Sequence, residues 1–514
     1  MTAVRPIDPR ELGPGALARG IFRDRPVTVL GFARSGIALA RFLADAGADV
    51  TVYDARPANE LGRAIESMEG RTIRFLLGPD VHPVDALAGA ALVTSSPSIN
   101  PDFPTTEPRL RTALRGLVDR RAGGDPDAPA FVSEVDLFLR LCPAPTIGIT
   151  GTKGKTTTSA LTHALLATDL DHPAVLGGNI GTPLVERLPE LTPNHRVVVE
   201  LSELQLPTLS RGTTVAAYTN VTSDHLDRHG TLEAYRAVKR RLAELLPDDG
   251  ALVLNLDDPV VSGYVDATSA RTVRYRRGEV PVGGLGVAHG WIVGDAVEPL
   301  AGRRSTGATS GVGFGGGRIL PTGELSIAGA HNVSNVLAAT AVALLFGIAP
   351  EEIRHAAGTF EGVEHRLERV AEIDGVRFIN DSQGTQPDAV IAALRAFDAP
   401  LVLIAGGRDK GVDLGDLAAV AAERAAAAVL IGESGPELER LFRRAGLTRT
   451  ERAGTLEDAV STAAAIAREA GQGSGRTATV LLSPAAASFD MFVDYEARGR
   501  AFKAAVARLA GEPD

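Results

Sequence analysis

Residues Gly148-Ile-Thr-Gly151-Thr-Lys-Gly154-Lys155-Thr156-Thr157 carry the clearest chemistry in the chain. They join an apolar stretch over 146–150 to a helical pattern over 157–167. In a strand–turn–helix of this kind the backbone N–H groups of the turn cradle phosphate oxygens. Lys155 then supplies positive charge near the terminal phosphates, and the Thr156 hydroxyl is placed to ligate Mg2+. The ordinary phosphate-loop spacing needs glycine at 149, where this chain has Ile149, so the loop is a shortened variant. A chance Gly/Thr/Lys turn is the bland alternative, and the flanking strand and helix argue against it.

Further reactive groups follow the ends of apolar runs. Glu200 closes Val197-Val-Val-Glu200, and His225 lies in Thr219-Asn-Val-Thr-Ser-Asp-His225-Leu-Asp-Arg-His229. Ligands of open α/β sheets sit beyond the carboxyl ends of strands, so Glu200 and His225 are placed to act on nucleotide and metal. Alone, an Asp-His pair is an ordinary structural turn, and Lys239 in Tyr235-Arg-Ala-Val-Lys239-Arg-Arg is an ordinary solvated face. Nearer the N-terminus, Gly31-Phe-Ala-Arg-Ser-Gly36 puts Ala33 where a dinucleotide fingerprint has its middle glycine, and Asp54 follows at the distance of a ribose or base contact. That pattern favours a nucleotide diphosphate bound differently from NAD. A βα turn without a ligand is the alternative.

These groups need parallel strands to position them. The first unit reads as a strand over 27–32, a helix over 36–45, a strand over 49–53 and a strand over 90–94, with 119–130 as a Pro/Gly/charge-rich surface loop. Strands are expected over 146–150, 196–200, 215–218 and 251–256 in the second. The Gly-rich segment 278–317 is expected to form hairpins or a loose antiparallel insert. From about 361 strands alternate with Ala/Arg/Glu-rich helices again, at 376–379, 401–405, 427–431 and 478–482. The fold class is therefore α/β, with roughly three domains for 514 residues.

Composition narrows the class. The net charge of −10 argues against nucleic acid or an anionic membrane surface as the main partner. One cysteine, Cys142, excludes an internal disulfide framework and a Cys-cluster zinc site. No apolar run reaches a membrane span and the N-terminus lacks an apolar signal core, so a cytoplasmic enzyme is expected.

The ensemble resembles the ATP-dependent Mur ligases. The resemblance rests on GTKGKTTT (151–158), GGNIG (177–181), VELSELQL (199–206), NVTSDHLDRH (220–229), YRAVKRR (235–241) and LNLDDP (254–259). It continues through AGAHNVSN (328–335), GVEHRLE (362–368), NDSQGT (380–385), AGGRDKG (405–411) and SPAAASFDMF (483–492), covering nearly the whole chain. Within the family, the first and last of its segments (GFARSG with YDARP, and SPAAASFDMFVDYEARG) are most similar to the members that join glutamate to UDP-N-acetylmuramoyl-L-alanine.

The resemblance implies three domains: a Rossmann-like UDP-binding domain over 1–142, a central phosphate-loop ATPase domain with a mainly parallel sheet over 143–361, and a Rossmann-like glutamate-binding domain over 362–514. It implies that Gly151, Thr152, Lys153, Gly154, Lys155, Thr156 and Thr157 hold the ATP phosphates. His331, Asn332 and Asn335 would approach the adenine side, with Arg366 and Asp381 reaching the nucleotide from the C-terminal domain. Thr156 and Glu200 would bind one Mg2+ and His225 a second, and Lys239 would be carbamylated into a further metal ligand. Lys155, Glu200, His225 and Lys239 are thus the implied catalytic set. Ser35, Asp54 and Arg56 would hold the uridine nucleotide, and Asn179 the muramoyl peptide. Gln383, Thr385, Lys410, Ser488 and Phe489 would belong to the glutamate site.

The implied reaction forms an acyl phosphate from the substrate carboxylate and ATP, and the glutamate amine then displaces phosphate. The implied partners are these small molecules alone, with the chain acting as a monomer in peptidoglycan precursor synthesis.

Three departures from the family pattern stand out. Gln383 replaces a usual lysine, Ser98 replaces a usual glycine, and the 119–130 and 278–317 segments lengthen the chain. The first leaves open whether D-glutamate, the expected substrate, or L-glutamate is added. A folylpolyglutamate-synthase-like ligase acting on another acceptor is the alternative enzyme, and the uridine-type unit ahead of the phosphate loop argues against it.

Overall fold

The computed structural model describes residues 4–222, 229–300, 314–327, 329–409 and 413–511, with the side chain of residue 388 left aside. His225 and Lys410 therefore lie outside the described residues. Contacts divide the chain into two compact units, Met1–Phe360 and Glu361–Asp514.

The first unit contains two sheets. Strands β1 (Pro26–Leu30), β2 (Asp49–Asp54), β3 (Ile73–Leu77), β4 (Leu92–Ser95) and β5 (Ala130–Ser133) form a parallel sheet in the order β3-β2-β1-β4-β5. Near-continuous apolar runs such as Val27-Thr-Val-Leu30 suit such strands, because helices cover both faces. The chain reverses its direction of winding at β1, with β2 on one side and β4 on the other. That switch point leaves a crevice beyond Leu30, which pairs with Tyr53 and with Ser95. Helix α1 (Arg34–Asp45) starts there, two residues before the expected position.

The second sheet repeats the device. It comprises β6 (Thr146–Thr150), β7 (Ala174–Gly178), β8 (Arg196–Glu200), β9 (Val215–Tyr218), β10 (Ala251–Asn255), β11 (Arg271–Tyr275), β12 (Leu285–Ala288), β13 (Trp291–Gly294) and β14 (Gly317–Pro321). Their order is β14-β13-β12-β11-β10-β9-β6-β8-β7. Strand β6 sits at the switch point, and Ile149 pairs with Glu200 while Thr150 pairs with Tyr218. The Gly-rich segment supplies the antiparallel edge, β12-β13-β14, as the expected insert. Its residues 301–313 lie outside the described part.

One expectation is corrected. Asp119–Ala122 is not loop but the last turn of helix α2 (Pro108–Ala122), and Ala130 already belongs to β5. The four charged or small residues DRRA continue the helix whose inner face is Leu110, Leu114 and Leu117, so packing overrides their polar composition.

Helix α3 (Glu134–Leu141) locks the two sheets together. Its Leu137, Phe138 and Leu141 share one buried apolar cluster with Leu184, Leu188 and Leu206 of the central part. Asp136 accepts hydrogen bonds from Ser210 N at 2.7 Å, Arg211 N at 3.1 Å and Arg140 Nε at 2.9 Å. Among the described residues no helix is long and apolar enough to cross a membrane.

The second unit is a three-layer α/β fold. Strands β15 (Glu368–Ile373), β16 (Val376–Asn380), β17 (Leu401–Gly406), β18 (Ala427–Ile431), β19 (Thr450–Arg452) and β20 (Ala478–Leu482) pair in the order β15-β16-β20-β17-β18-β19, with β15 antiparallel. Val402 and Ile404 enter one apolar layer and Leu401, Leu403 and Ala405 the other, the period-two alternation of a strand covered on both faces.

Buried Glu134 gives this fold a pH signature. Burial pushes its carboxyl up to about 7, against the smaller opposing influence of the Val185 N–H and the Arg34 charge, while Glu186 adds to the rise. A carboxyl raised above its unfolded value contributes stability below the unfolded pKa and loses it as pH rises through the folded one. Glu134→Gln should therefore melt higher than the parent at pH 8 and lose less stability than the parent between pH 5 and 8, by on the order of 2 kcal/mol. Thermal melts across that range check it, and identical pH slopes contradict it.

Candidate active site

The turn after β6 has almost no conformational latitude. Gly151 has φ +150°, and a Cβ there would stand 2.0 Å from Thr219 Oγ1 and 2.9 Å from Asn220 O. Gly154 has φ +84°, and its Cβ would stand 2.5 Å from Asn335 Oδ1. Only glycine fits both positions. Helix α4 (Lys155–Leu166) then begins, two residues earlier than its apolar pattern suggested, so that Lys155 is its first residue.

Neighbouring strand ends hold the turn in place. Thr219 Oγ1 donates to Lys153 O at 2.7 Å, and Asn220 Nδ2 donates to the same carbonyl at 2.8 Å. Asn220 O accepts Thr152 N at 2.7 Å, and Asn220 Oδ1 accepts Lys153 N at 3.0 Å. Thr152 Oγ1 accepts Thr222 N at 3.0 Å and lies 3.0 Å from the Tyr235 hydroxyl. Lys155 Nζ folds back over the turn, donating to Gly151 O at 3.1 Å and Thr152 O at 2.9 Å. Thr219, Asn220 and Tyr235 were not singled out as functional residues in the sequence. Their signal is positional: two follow β9, the strand that pairs with the one feeding the loop.

Two groups of opposite sign flank the loop. Glu200 ends β8, 1% exposed. Its Oε1 accepts Asn179 Nδ2 at 3.0 Å, and Asn179 N donates to Glu200 O at 2.9 Å. Oε2 is buried and has no hydrogen-bond partner among the described residues. A buried carboxylate oxygen left in that condition is costly unless a cation or donor meets it, so the donor set fits a divalent ion. The hydroxyl of Thr156, a buried first-turn residue of α4, is a further hard oxygen of the kind Mg2+ takes. Among the described residues no cluster of three His, Cys, Asp or Glu exists to hold a metal without such help.

Lys239, on helix α5 (Leu232–Glu244), is fully buried. Its Nζ donates to Thr150 Oγ1 at 3.3 Å and Gly151 O at 3.1 Å, with the Tyr235 ring centroid 5.5 Å away. The expectation from its sequence alone, a solvated face, is overturned: helix α5 presents this lysine to the loop.

Helix α6 (Ala330–Leu345) brings Asn335 to the loop as well, with Asn335 Nδ2 donating to Asn332 Oδ1 at 3.0 Å. His331 is exposed in the first turn of the same helix. Lys153 is exposed and Thr157 half-buried on the loop side.

At the first sheet, Asp54 is a clamp. Its Oδ2 accepts Phe32 N at 2.7 Å and Arg56 Nη2 at 2.8 Å, and its Oδ1 accepts Arg56 N at 2.9 Å and Nε at 3.0 Å. Although burial opposes ionisation there, these donors together hold the carboxyl below its usual range. Ser35 is half-buried in the first turn of α1. A cavity of about 350 Å³ opens beside this clamp, lined by Gly31, Tyr53, Asp54, Glu107, Leu110 and Leu204 among others.

In the second unit Asp381 and Ser483 follow the paired ends of β16 and β20. Ser483 Oγ donates to Asp381 Oδ2 at 2.6 Å, and Leu367 N donates to Oδ1 at 3.2 Å. Burial raises the Asp381 carboxyl to about 6, opposed by Ser483 and the Arg366 charge. Arg366 Nη1 lies 3.5 Å from Gln383 Oε1, and Thr385 N donates to Gln383 O at 2.8 Å. Buried Arg498, on helix α7 (Tyr495–Leu509), donates to Ser382 O, Ser382 Oγ and Ala486 O, tying the 380–385 turn to the 483–488 turn. Ser488 is buried, and Phe489 is exposed beside it.

The rigidity of the loop is testable. Gly151→Ala must displace Thr219 or the turn itself, and is expected to weaken ATP binding by about 10- to 100-fold, the equivalent of about 1–3 kcal/mol of backbone strain. Calorimetric titration with ATP checks it; parental affinity contradicts it.

Residues 149–343 match the family model described as Mur ligase middle domain, and residues 365–486 match Mur ligase, glutamate ligase domain. The chain is 38% identical over 485 residues to a UDP-N-acetylmuramoylalanine--D-glutamate ligase of Roseiflexus sp. (strain RS-1), covering 92% of this chain and 96% of the relative. It is 37% identical to the ligase of the same name from Geobacter metallireducens, covering 94% and 97%. In fold it is similar to the UDP-N-acetylmuramate-alanine ligase MurC of Thermotoga maritima, with a TM-score of 0.52, 18% identity and coverage of 95% and 99%. MurF of Acinetobacter baumannii gives a TM-score of 0.52 at 16% identity, covering 98% and 93%. The chain belongs to the Mur ligase family.

Proposed function

We propose that the chain is an ATP-dependent ligase that adds D-glutamate to UDP-N-acetylmuramoyl-L-alanine in peptidoglycan precursor synthesis. The observation that carries this reading is the phosphate loop flanked by Glu200 and Lys239, in a chain similar to D-glutamate ligases along more than nine-tenths of its length. That coverage includes the first sheet, which favours a uridine-nucleotide acceptor over the folylpolyglutamate-type alternative.

The loop amides and the start of α4 receive the phosphate oxygens. Lys155 exchanges its two carbonyl contacts for the terminal phosphates, where its charge disperses that of the transferring phosphoryl group. Bound Mg2+ supplies neutralisation of the phosphate oxygens and orientation of the γ-phosphoryl group. Glu200 and Thr156 are the residues that hold it, and Asn179 keeps the Glu200 carboxylate aimed. His225 and a carbamylated Lys239 are assigned to a second ion. Lys239 suits that modification because helix α5 holds it fully buried against the loop, with its Nζ beside Thr150 Oγ1 and Gly151 O.

Asn332 and Asn335, with His331, are assigned to the adenine side, and Arg366 and Asp381 to the nucleotide from the second unit. Ser35 and Arg56, which Asp54 orients, are assigned to the uridine nucleotide. Gln383, Thr385, Lys410, Ser488 and Phe489 are assigned to glutamate. The substrate carboxylate oxygen attacks the γ-phosphorus of ATP, releasing ADP and leaving an acyl phosphate. The glutamate amine then attacks the carbonyl and phosphate departs. The domain division at 142/143 and 361/362 belongs to the same reading.

ADP and phosphate are expected to form only when UDP-N-acetylmuramoyl-L-alanine and D-glutamate are both present; phosphate release independent of both contradicts the ligase. Lys239→Ala is expected to lose about 100-fold or more in turnover. A short carboxylic acid should restore part of that activity and bicarbonate none, and parental turnover removes the carbamate. Gln383→Lys is expected to lower the KM for D-glutamate, by adding a cation where the amide now lies, and an unchanged KM shows that the position does not meet the carboxylate.

A further inference from the structure

Lys239 reaches the phosphate loop from the body of helix α5, so its aim depends on where the backbone of that helix stands. In an α-helix the N–H of Ala243 faces the carbonyl of Lys239. Here a side chain from another element sits at that rung. Ala243 N donates to the Tyr218 hydroxyl at 2.9 Å, and the hydroxyl donates to Lys239 O at 2.7 Å. Arg240 O lies farther from it, at 3.5 Å. Insertion of a side chain into the ladder is one of the few devices that adjust a helix locally.

Tyr218 is itself firmly anchored. It is the last residue of β9, fully buried, and its backbone pairs with Thr150 of β6. Its carbonyl accepts the Tyr275 hydroxyl from the end of β11 at 2.9 Å. Its ring meets that of Tyr264 edge-on, with centroids 5.2 Å apart. Tyr264 grips the same helix nearly one turn earlier, its hydroxyl donating to Arg236 O at 2.8 Å. Burial pushes the Tyr218 phenol well above its ordinary value, so it stays protonated and can donate and accept at once.

These contacts close a circuit. Thr150 pairs with Tyr218 along the sheet, Tyr218 holds the carbonyl of Lys239, and Lys239 Nζ returns to Thr150 Oγ1 and Gly151 O. The reach from helix to loop is thereby set by one phenol whose backbone belongs to the strand beside the loop. A phenylalanine ring would fill the same space and leave the rung free to close, with the helix and its lysine free to shift.

We propose that Tyr218 is a positioning residue for the ligase reaction: its phenol, seated between Lys239 O and Ala243 N, holds Lys239 against the phosphate loop in the place where its modified side chain serves the site. This rests on the carbamylated reading of Lys239 and names the residue that enforces it.

Carbamylation joins the unprotonated lysine amine to carbon dioxide through a new N–C bond and releases one proton. Its extent is read as a 13C resonance when the full chain, with Mg2+ and ADP, is titrated with 13C-labelled bicarbonate. The parent should show a carbamate signal that Lys239→Ala lacks. Tyr218→Phe keeps the ring and removes one oxygen; it should raise the bicarbonate concentration needed for half-maximal signal by about threefold to tenfold. The KM for D-glutamate should stay parental. Tyr264→Phe removes the other phenol donor to the helix but leaves Lys239 O held, so its midpoint should stay parental. A parental midpoint in Tyr218→Phe, or an equal shift in Tyr264→Phe, overturns the proposal and leaves the carbamylated lysine standing. Absence of a Lys239-dependent signal in the parent removes that reading itself, and this proposal with it.

Discussion

The tight fit between Gly151 and the Thr219–Asn220 segment is the constraint on which the central site depends. Strand β6 delivers the loop at a switch point, and β9 delivers the residues that pin it. Because a single methyl group at Gly151 would collide with Thr219, the loop cannot relax without breaking the hydrogen bonds from the β9 side. Rigidity of this kind is what phosphoryl transfer requires, since the protein contributes positioning and electrostatics more than covalent chemistry. Glu200 shares the same origin. It ends the other neighbour of β6, in register with Ile149, and so faces the loop without any loop of its own to order.

Buried charge is the second theme. Lys239, Glu200, Asp381 and Arg498 are all almost completely enclosed, in a family whose substrates are anions. Each such group is expensive to bury and is tolerated only with partners or a ligand. The chain's net charge of −10 opposes anion binding at long range, so the proposed function relies on local positive charge such as that of Lys155 at the loop.

Much of the fold was legible in the sequence because the fully buried parallel strands are almost purely aliphatic. Val197-Val-Val-Glu200 and Ala251–Asn255 are plain runs, and the Gly/Lys/Thr turn marks its own strand and helix. Edge strands were not legible: Ile73–Leu77 mixes in an arginine, Ala174–Gly178 ends in two glycines, and Thr450–Arg452 is too short to show a pattern. Asp119–Ala122 is helix despite its composition, because polar residues mark a loop only when no apolar face continues through them. At the site, Lys155, Glu200 and Asn335 were readable from motifs. The burial of Lys239 was not, since a helix with two arginines after it looks solvated until its partner strand is known.

The central claim is that the chain activates a carboxylate by transferring a phosphoryl group to it. Isotope transfer tests this most directly: UDP-N-acetylmuramoyl-L-alanine with both carboxyl oxygens labelled as 18O is turned over with ATP and D-glutamate, and the released phosphate is analysed by mass spectrometry. The account predicts one 18O in each phosphate released and one retained in the new amide. Unlabelled phosphate, or AMP and pyrophosphate in place of ADP and phosphate, would contradict it.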